Sequence, residues 1–222
     1  MPSITCIIPA YNEEKTIKEV LTSVKESLIF DEIIVVNDGS SDSTAEILSK
    51  ENNIIFINLE KNIGKGGAVH EGFRRATGEI ILMLDADLLG LKKEHFEKIL
   101  LPLKKKEADV CIGIITNKER PWMSIAQFIG SDLSGQQAFY KSLIEDANIK
   151  DSRFGLEIAL KNHFKKKNAR VKKVLFKNIN HLMKEQKMGL KTGVKHRTNM
   201  YKEVGKEIGK NVKEKIAVNN KK

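Results

Sequence analysis

The amino-acid sequence predicts an α/β protein with a doubly wound, mostly parallel sheet, and three observations carry that expectation. Short, largely apolar runs recur at residues 4–8, 32–36, 54–59 and 80–84 without the in-out alternation of a half-exposed strand, as expected of strands covered on both faces. Between them lie stretches whose apolar residues follow helical spacing, such as Val20, Leu21, Val24 and Leu28. Each run also empties into a polar loop rich in Gly, Asn, Asp or Pro. Strands and helices alternating at this interval imply βαβ units.

Taken in order, residues 4–8 form the first strand and Pro9-Ala10-Tyr11-Asn12-Glu13-Glu14 the loop at its C-terminal end, with Asn12 expected to cap the next helix. A second strand at 32–36 ends in Asn37-Asp38-Gly39-Ser40-Ser41-Asp42-Ser43-Thr44, where Asp42 or Ser43 caps a helix containing Ala45, Ile47 and Leu48. Residues 54–59 make a third strand. The glycine-rich stretch 61–67 then opens a helix bearing Ala68, Val69, Phe73 and Ala76, with Gly78 as its expected terminator. A helix at 95–103 and strands at 108–114 and 171–176 complete the series.

With 222 residues and 41% hydrophobic content, the chain is long enough to bury a full core in one domain with a tail. Met1-Pro2-Ser3 runs directly into a strand, so no signal peptide is expected, and no apolar run approaches the roughly 20 residues needed to span a bilayer. Cys6 and Cys111 both fall in apolar runs, which suits buried thiols in a reducing cytoplasm better than a disulfide or zinc site. Charge is divided along the chain: residues 1–160 carry 19 Lys/Arg against 25 Asp/Glu, net −6, and residues 161–222 carry 20 against 4, net +16. The basic quarter suits either a solubilising role or a polyanionic partner, with an anionic membrane surface preferred to nucleic acid.

The most informative stretch is 62–88, NIGKGGAVHEGFRRATGEIILMLDADL. Its five apolar residues Ile80-Ile81-Leu82-Met83-Leu84 stop at Asp85 and Asp87, which places both carboxylates where a strand leaves the core, at the ligand-binding edge of an open α/β sheet. Residues two apart on an extended backbone point the same way, so Asp85 and Asp87 converge on one ion while Ala86 faces the sheet. Oxygen ligands of this kind suit Mg²⁺ or Mn²⁺.

Four segments, IIPAYNEEKTI at 7–17, IIVVNDGSSDST at 33–44, NIGKGGAVHEGF at 62–73 and TGEIILMLDADL at 77–88, together resemble family 2 glycosyltransferases of the GT-A fold, particularly the soluble branch near polyprenyl-phosphate sugar synthases. The resemblance implies a donor-binding half at 1–115, an acceptor-side half at 116–198 and a basic amphipathic helix at 199–222. It implies a nucleoside-diphosphate sugar, UDP- or GDP-linked, as donor, with Pro9, Tyr11, Glu13 and Asp38 walling the base and ribose site, Lys65 and Ala86 beside the nucleotide, and Asp85 and Asp87 anchoring the metal. His181 is the implied third ligand, and Glu157 the implied base for an acceptor hydroxyl. The implied acceptor is polyprenyl phosphate, a lipid or a small soluble molecule. Here the pattern departs: Leu88-Leu89-Gly90 stands where such enzymes often carry Gln, and Gln137 where close relatives carry Arg.

Several later stretches have readings of their own. Trp122 sits in an apolar stripe that suits core or an acceptor-lining helix, and Lys187, Lys191, Lys195, His196 and Arg197 crowd a loop able to meet phosphates. Val204, Ile208, Val212 and Ile216 repeat every four residues among lysines, an amphipathic helical pattern. Two other classes compete with glycosyl transfer. A nucleotidyltransferase needs a glycine-rich loop after its first strand, where this chain has PAYNEE; a purely basic membrane- or nucleic-acid-binding module leaves the acidic first 160 residues unexplained. The expected protein is therefore a cytoplasmic enzyme that associates peripherally with the inner face of a membrane.

Overall fold

The computed structural model describes residues 2–116 and 134–181. Along them run strands β1 (Ile4–Ala10), β2 (Glu32–Asn37), β3 (Ile55–Asn58), β4 (Ile80–Met83), β5 (Leu88–Leu89), β6 (Val110–Thr116), β7 (Gln137–Tyr140), β8 (Val171–Lys177) and β9 (Asn180–His181). Helices α1 (Ile17–Ser27), α2 (Thr44–Ser49), α3 (Lys65–Arg75), α4 (Lys93–Lys104) and α5 (Leu156–Lys166) connect them. Residues 117–133 and 182–222, with the readings placed on Trp122, on the basic cluster from Lys187 to Arg197 and on the 199–222 helix, lie outside the described residues.

Seven strands form one sheet in the order β3-β2-β1-β4-β7-β6-β8. The pairs β1 with β2, β2 with β3, β1 with β4 and β6 with β8 are parallel, while β7 runs antiparallel to both β4 and β6. The expected mostly parallel sheet is thus present. The antiparallel β7 is an addition, since its four residues are too short to show a period in the sequence. After β3 the chain returns to the other side of β1, so the order reverses between β1 and β4, and the C-terminal ends of these strands open a crevice there.

Alternation along the strands sends successive side chains to opposite faces. Cys6, Ile8, Val35 and Leu82 pack with Val20, Leu21 and Val24 of α1, Leu48 of α2 and Phe96, Ile99 and Leu100 of α4. Ile7, Ile34, Val36, Ile81 and Met83 pack instead with Ala68 and Val69 of α3 and Leu156, Leu160 and Phe164 of α5. Helices therefore cover both faces, and this double cover explains why the strands read as unbroken apolar runs. Both cysteines are buried free thiols, as expected, and burial pushes the Cys111 thiol up to about 12.

Two expected caps have other roles. Asn12 takes a left-handed conformation and links two loops, leaving Thr16 as the residue before α1. Gly78 does not end α3: that helix stops at Arg75, and Ala76 is already extended. Gly78 instead lies against β1, where its N–H donates to Thr5 Oγ1 at 3.0 Å and a Cβ would stand 2.6 Å from that oxygen and 2.7 Å from the Thr5 nitrogen. Backbone packed this closely has no room for a side chain. Gly78→Val should lower the unfolding free energy by about 2 kcal/mol, the usual scale of overpacking, as read from urea titration. An unchanged midpoint would show that β1 moves aside without cost.

Candidate functional site

The site begins as a lacing of two loops. Asn12 N–H donates to Ser40 Oγ at 2.9 Å, and Asn12 Oδ1 accepts from the Ser41 N–H at 2.8 Å. Glu13 N–H donates to Thr44 Oγ1 at 2.8 Å, whose own proton goes to Asp42 Oδ1 at 2.6 Å. Asp42 Oδ1 also accepts from the Thr44 N–H at 3.0 Å, so of the two expected caps for α2 it is Asp42 that supplies the bond. Glu14 Oε2 accepts from the Ser43 N–H at 3.0 Å. The loops that follow β1 and β2 are thereby fixed as one wall, which carries Tyr11 and Glu13, while Pro9, expected in the loop, lies within β1 in register with Val36.

Asp38 ties that wall to the third loop. Only 3% exposed, its carboxylate accepts from the Ile63 N–H at 2.7 Å through Oδ1 and from the Gly64 N–H at 2.9 Å through Oδ2. The Asn62 side-chain amide donates to the Asp38 carbonyl at 3.2 Å. Two backbone donors on one buried carboxylate hold the glycine-rich turn in place. Helix α3 starts directly behind this turn, so the positive end of its dipole lies in the crevice.

Lys65, the first residue of α3, lies at the centre. Its Nζ is 2.6 Å from Asp85 Oδ1 and 2.6 Å from Glu157 Oε1, with side-chain exposures of 22%, 23% and 14% for Lys65, Asp85 and Glu157. Burial works against the ammonium charge, but the Asp85 and Glu157 carboxylates outweigh it and hold Lys65 protonated well above the ordinary lysine range. The other oxygen of Asp85, Oδ2, accepts from Gln136 Nε2 at 2.7 Å. Gln136 is oriented in turn by Ser134 Oγ, which lies 2.8 Å from Gln136 Oε1 and 2.5 Å from the Gly113 carbonyl. A Cβ on Gly135 would collide with the Asp85 carboxylate, so glycine there lets the Ser134-Gly135-Gln136 segment reach it.

Asp85 and Asp87 are both half-buried with Ala86 buried between them, but β4 ends at Met83 and Ala86 and Asp87 lie in a turn, so the expected extended backbone does not reach them. Ala86 packs among the core residues on the α1 and α4 face. Immediately beyond, β5 and β9 pair antiparallel with Leu88 opposite His181, so the sheet register brings residue 181 beside the aspartates across 93 residues of chain. Among the described side chains no group of three His, Cys, Asp or Glu is gathered closely enough to hold an ion. Asp85 and Asp87 carry the oxygen donors that suit a hard divalent cation, on the turn between β4 and β5, and the backbone of residue 181 pairs with Leu88 just beyond it. Asp85 spends one oxygen on an ammonium and the other on an amide.

Asp38, Lys65, Asp85 and Glu157 are thus linked at one edge of the sheet, from both halves of the chain, while Ala86 packs into the core. Sequence reading set Gln136 only within a stretch at 133–139 that resembles an acceptor-side segment, and missed both its bond to Asp85 and the double pairing of Lys65. The Lys65 to Glu157 bond spans 92 residues, and no local pattern announces it.

Comparison with known proteins agrees with this geometry. The family model described as Glycosyl transferase family 2 matches residues 5–164. The poly-beta-1,6-N-acetyl-D-glucosamine synthase of Staphylococcus aureus (strain COL) is 39% identical over 94 residues, covering 40% of this chain and 23% of that protein. The Staphylococcus epidermidis protein of the same name is 44% identical over 89 residues, 38% of this chain and 21% of that one. The matched segment therefore spans less than a quarter of these relatives. Among solved structures, glucosyl-3-phosphoglycerate synthase from Mycobacterium tuberculosis in complex with Mn²⁺, uridine diphosphate and glucosyl-3-phosphoglycerate superposes with a TM-score of 0.64 at 21% identity, covering 82% of this chain and 72% of that one. The same synthase with Mg²⁺ and uridine diphosphate gives 0.64 at 20% identity, covering 82% and 72%. At such identity the likeness is one of fold.

Replacing Lys65 by Met should leave two carboxylates facing each other without their cation, at a cost of about 2 kcal/mol once their partial exposure is allowed for. Because the lysine pKa is raised on folding, its stabilisation is complete below the unfolded value of about 10.4 and is lost only as pH rises beyond that through the folded one. The stability gap between wild type and Lys65→Met, measured by denaturant titration, should therefore be flat from about pH 7 to 9. Adding Glu157→Gln to Lys65→Met should recover part of the loss.

Proposed function

Because the chain belongs to glycosyl transferase family 2, we propose that it is a metal-dependent glycosyltransferase that moves a sugar from a UDP-linked donor to an acceptor hydroxyl. The observation that carries this reading is the Asp85–Lys65–Glu157 cluster, which joins one of the two aspartates after β4 to an acceptor-side carboxylate through one half-buried ammonium. Support for the uridine donor comes from the solved structures of glucosyl-3-phosphoglycerate synthase, which hold uridine diphosphate with Mn²⁺ or Mg²⁺.

In this reading Asp87, with Asp85 and His181, holds a divalent ion, which supplies the positive charge that stabilises a departing nucleoside diphosphate. Lys65 and the first turn of α3 add fixed positive potential on the same side. Asp38 holds the glycine-rich turn at the distance the diphosphate needs, and its remaining lone pairs face the base and ribose beside Pro9, Tyr11 and Glu13. A diphosphate entering the crevice competes with the two carboxylates for the Lys65 ammonium. Once Lys65 turns to the phosphate, Glu157 loses its partner and can take the proton of an acceptor hydroxyl.

The relatives named above are a polysaccharide synthase and a 3-phosphoglycerate glucosyltransferase, so a saccharide or small hydroxyl acceptor is preferred here to polyprenyl phosphate. Membrane association of residues 161–222 rests on their +16 charge and on the amphipathic pattern of Val204, Ile208, Val212 and Ile216. Among the described residues no helix is long and apolar enough to cross a membrane.

Calorimetry with a panel of UDP- and GDP-sugars, with and without Mn²⁺, tests the proposal. Wild type should bind a UDP-sugar at least tenfold more tightly with Mn²⁺ present, Asp87→Ala should lose that increment while keeping its fold, and Lys65→Met should bind more weakly under both conditions. Equal affinity of wild type and Asp87→Ala in Mn²⁺ would remove the metal from the site.

A further inference from the structure

The short strand β7 lies between β4 and β6, with Gln137 opposite Met83 on one side and Ile112 on the other. It is antiparallel to both, so the residues before Gln137 run on past the last residues of β4, and Gly135 arrives beside Asp85. A Cβ on Gly135 would stand on the Asp85 carboxylate, and the missing side chain is what permits this approach.

The segment 134–136 is held in turn from β6. Gly113 N–H donates to the Gln136 carbonyl at 2.8 Å, and the Gly113 carbonyl accepts from Ser134 Oγ at 2.5 Å. Gly113 itself has little room for a side chain, since a Cβ there would stand 3.0 Å from Phe176 Cζ and 3.2 Å from Gln136 Cβ. The backbone of Gln136 is therefore set by β6. An ionised carboxylate can only accept, so the Gln136 amide turns Nε2 to Asp85 Oδ2, at 2.7 Å, and leaves Oε1 beside the Ser134 hydroxyl, at 2.8 Å. With only 2% of the residue exposed, the amide has no alternative partner in solvent.

Asp85 is thus gripped on both oxygens by groups of different permanence. Lys65, on Oδ1, is a cation at the end of a flexible four-carbon stem, and an entering diphosphate competes for it. Gln136, on Oδ2, is neutral, buried and tied to a neighbouring strand. We infer that Gln136 is a positioning residue of the donor site. Resting on the function proposed above, the inference is that Gln136 keeps hold of Oδ2 when Lys65 turns to the phosphate, so that Asp85 presents Oδ1 to the metal-bound donor in one fixed orientation. Hydrogen-bond partners of ligating carboxylates act on metal affinity by about 10–100-fold.

The test is calorimetry of UDP binding to the full chain with and without Mn²⁺, which gives the metal-dependent gain in affinity for each variant, alongside its unfolding midpoint in urea. Gln136→Met keeps the length of the side chain and removes the amide. It should lower the Mn²⁺-dependent gain about tenfold and leave the metal-free affinity for UDP unchanged. Ser134→Ala, which keeps the amide but removes the hydroxyl that orients it, should give a smaller loss in the same direction. Phe139→Leu is the structural control: its ring belongs to the same strand and packs against Phe164 beneath α5, so the substitution should lower the unfolding midpoint yet keep the wild-type gain. A full gain in Gln136→Met overturns this inference and leaves the proposed function standing. A gain lost equally in Phe139→Leu also overturns it, because Gln136 would then act only through the stability of β7. A wild type with no Mn²⁺-dependent gain overturns the proposed function and this inference together.

Discussion

The pairing of Lys65 with Asp85 and Glu157 is the constraint on which the arrangement of the site depends. Three charges at less than a quarter exposure each are tolerable only because the ammonium sits 2.6 Å from both carboxylates, so that the attraction offsets much of the desolvation of the group. The geometry requires α3 to start where it does, β4 to end where it does, and α5 to bring its first turn against the same point. Displacing any one of these elements would strand a charge in a partly dry crevice. The ion cluster is in this sense a specification of how the two halves of the chain meet.

Preorganisation in the rest of the site is achieved with neutral and backbone groups. The first two loops bind each other through hydroxyl, amide and carboxylate side chains, and Asp38 extends the lacing to the glycine-rich turn by accepting two backbone N–H bonds. Loops are ordinarily the mobile parts of an α/β protein. Here three of them share their hydrogen bonds, so positions set by one strand end are transmitted to the next. A ligand with several phosphate and hydroxyl groups needs its contacts fixed together, and a wall of this kind supplies them without ordering cost at the moment of binding.

The strands of the first half were legible because double cover leaves no polar alternation, and the aspartate pair was legible because a buried run cannot simply continue into two charges. β7 was not, since four residues beginning with Gln carry neither a period nor a β-branched signature. The two-residue strands β5 and β9 left no pattern at all, yet their pairing brings His181 to the aspartates. Gly78 was misread for an instructive reason. A glycine after a helical stretch suggests a left-handed cap, but here the residue serves close approach to Thr5, a demand that only the neighbouring strand can reveal. Glu157 and Gln136 became partners of Lys65 and Asp85 through sheet order and helix packing, which are properties of the whole chain.

Gln136 and Gln137 show how much a single step of backbone alternation decides. They are chemically identical neighbours at the start of β7, and both are almost fully buried. One spends its amide on Asp85 and its carbonyl oxygen beside Ser134, so every polar atom has a partner and the aspartate is held in one orientation. The other satisfies its amide through the Ser134 carbonyl and leaves its oxygen unmet beneath α5. If burial were the only demand at position 137, an apolar residue would fill the space without the cost of an unpaired oxygen.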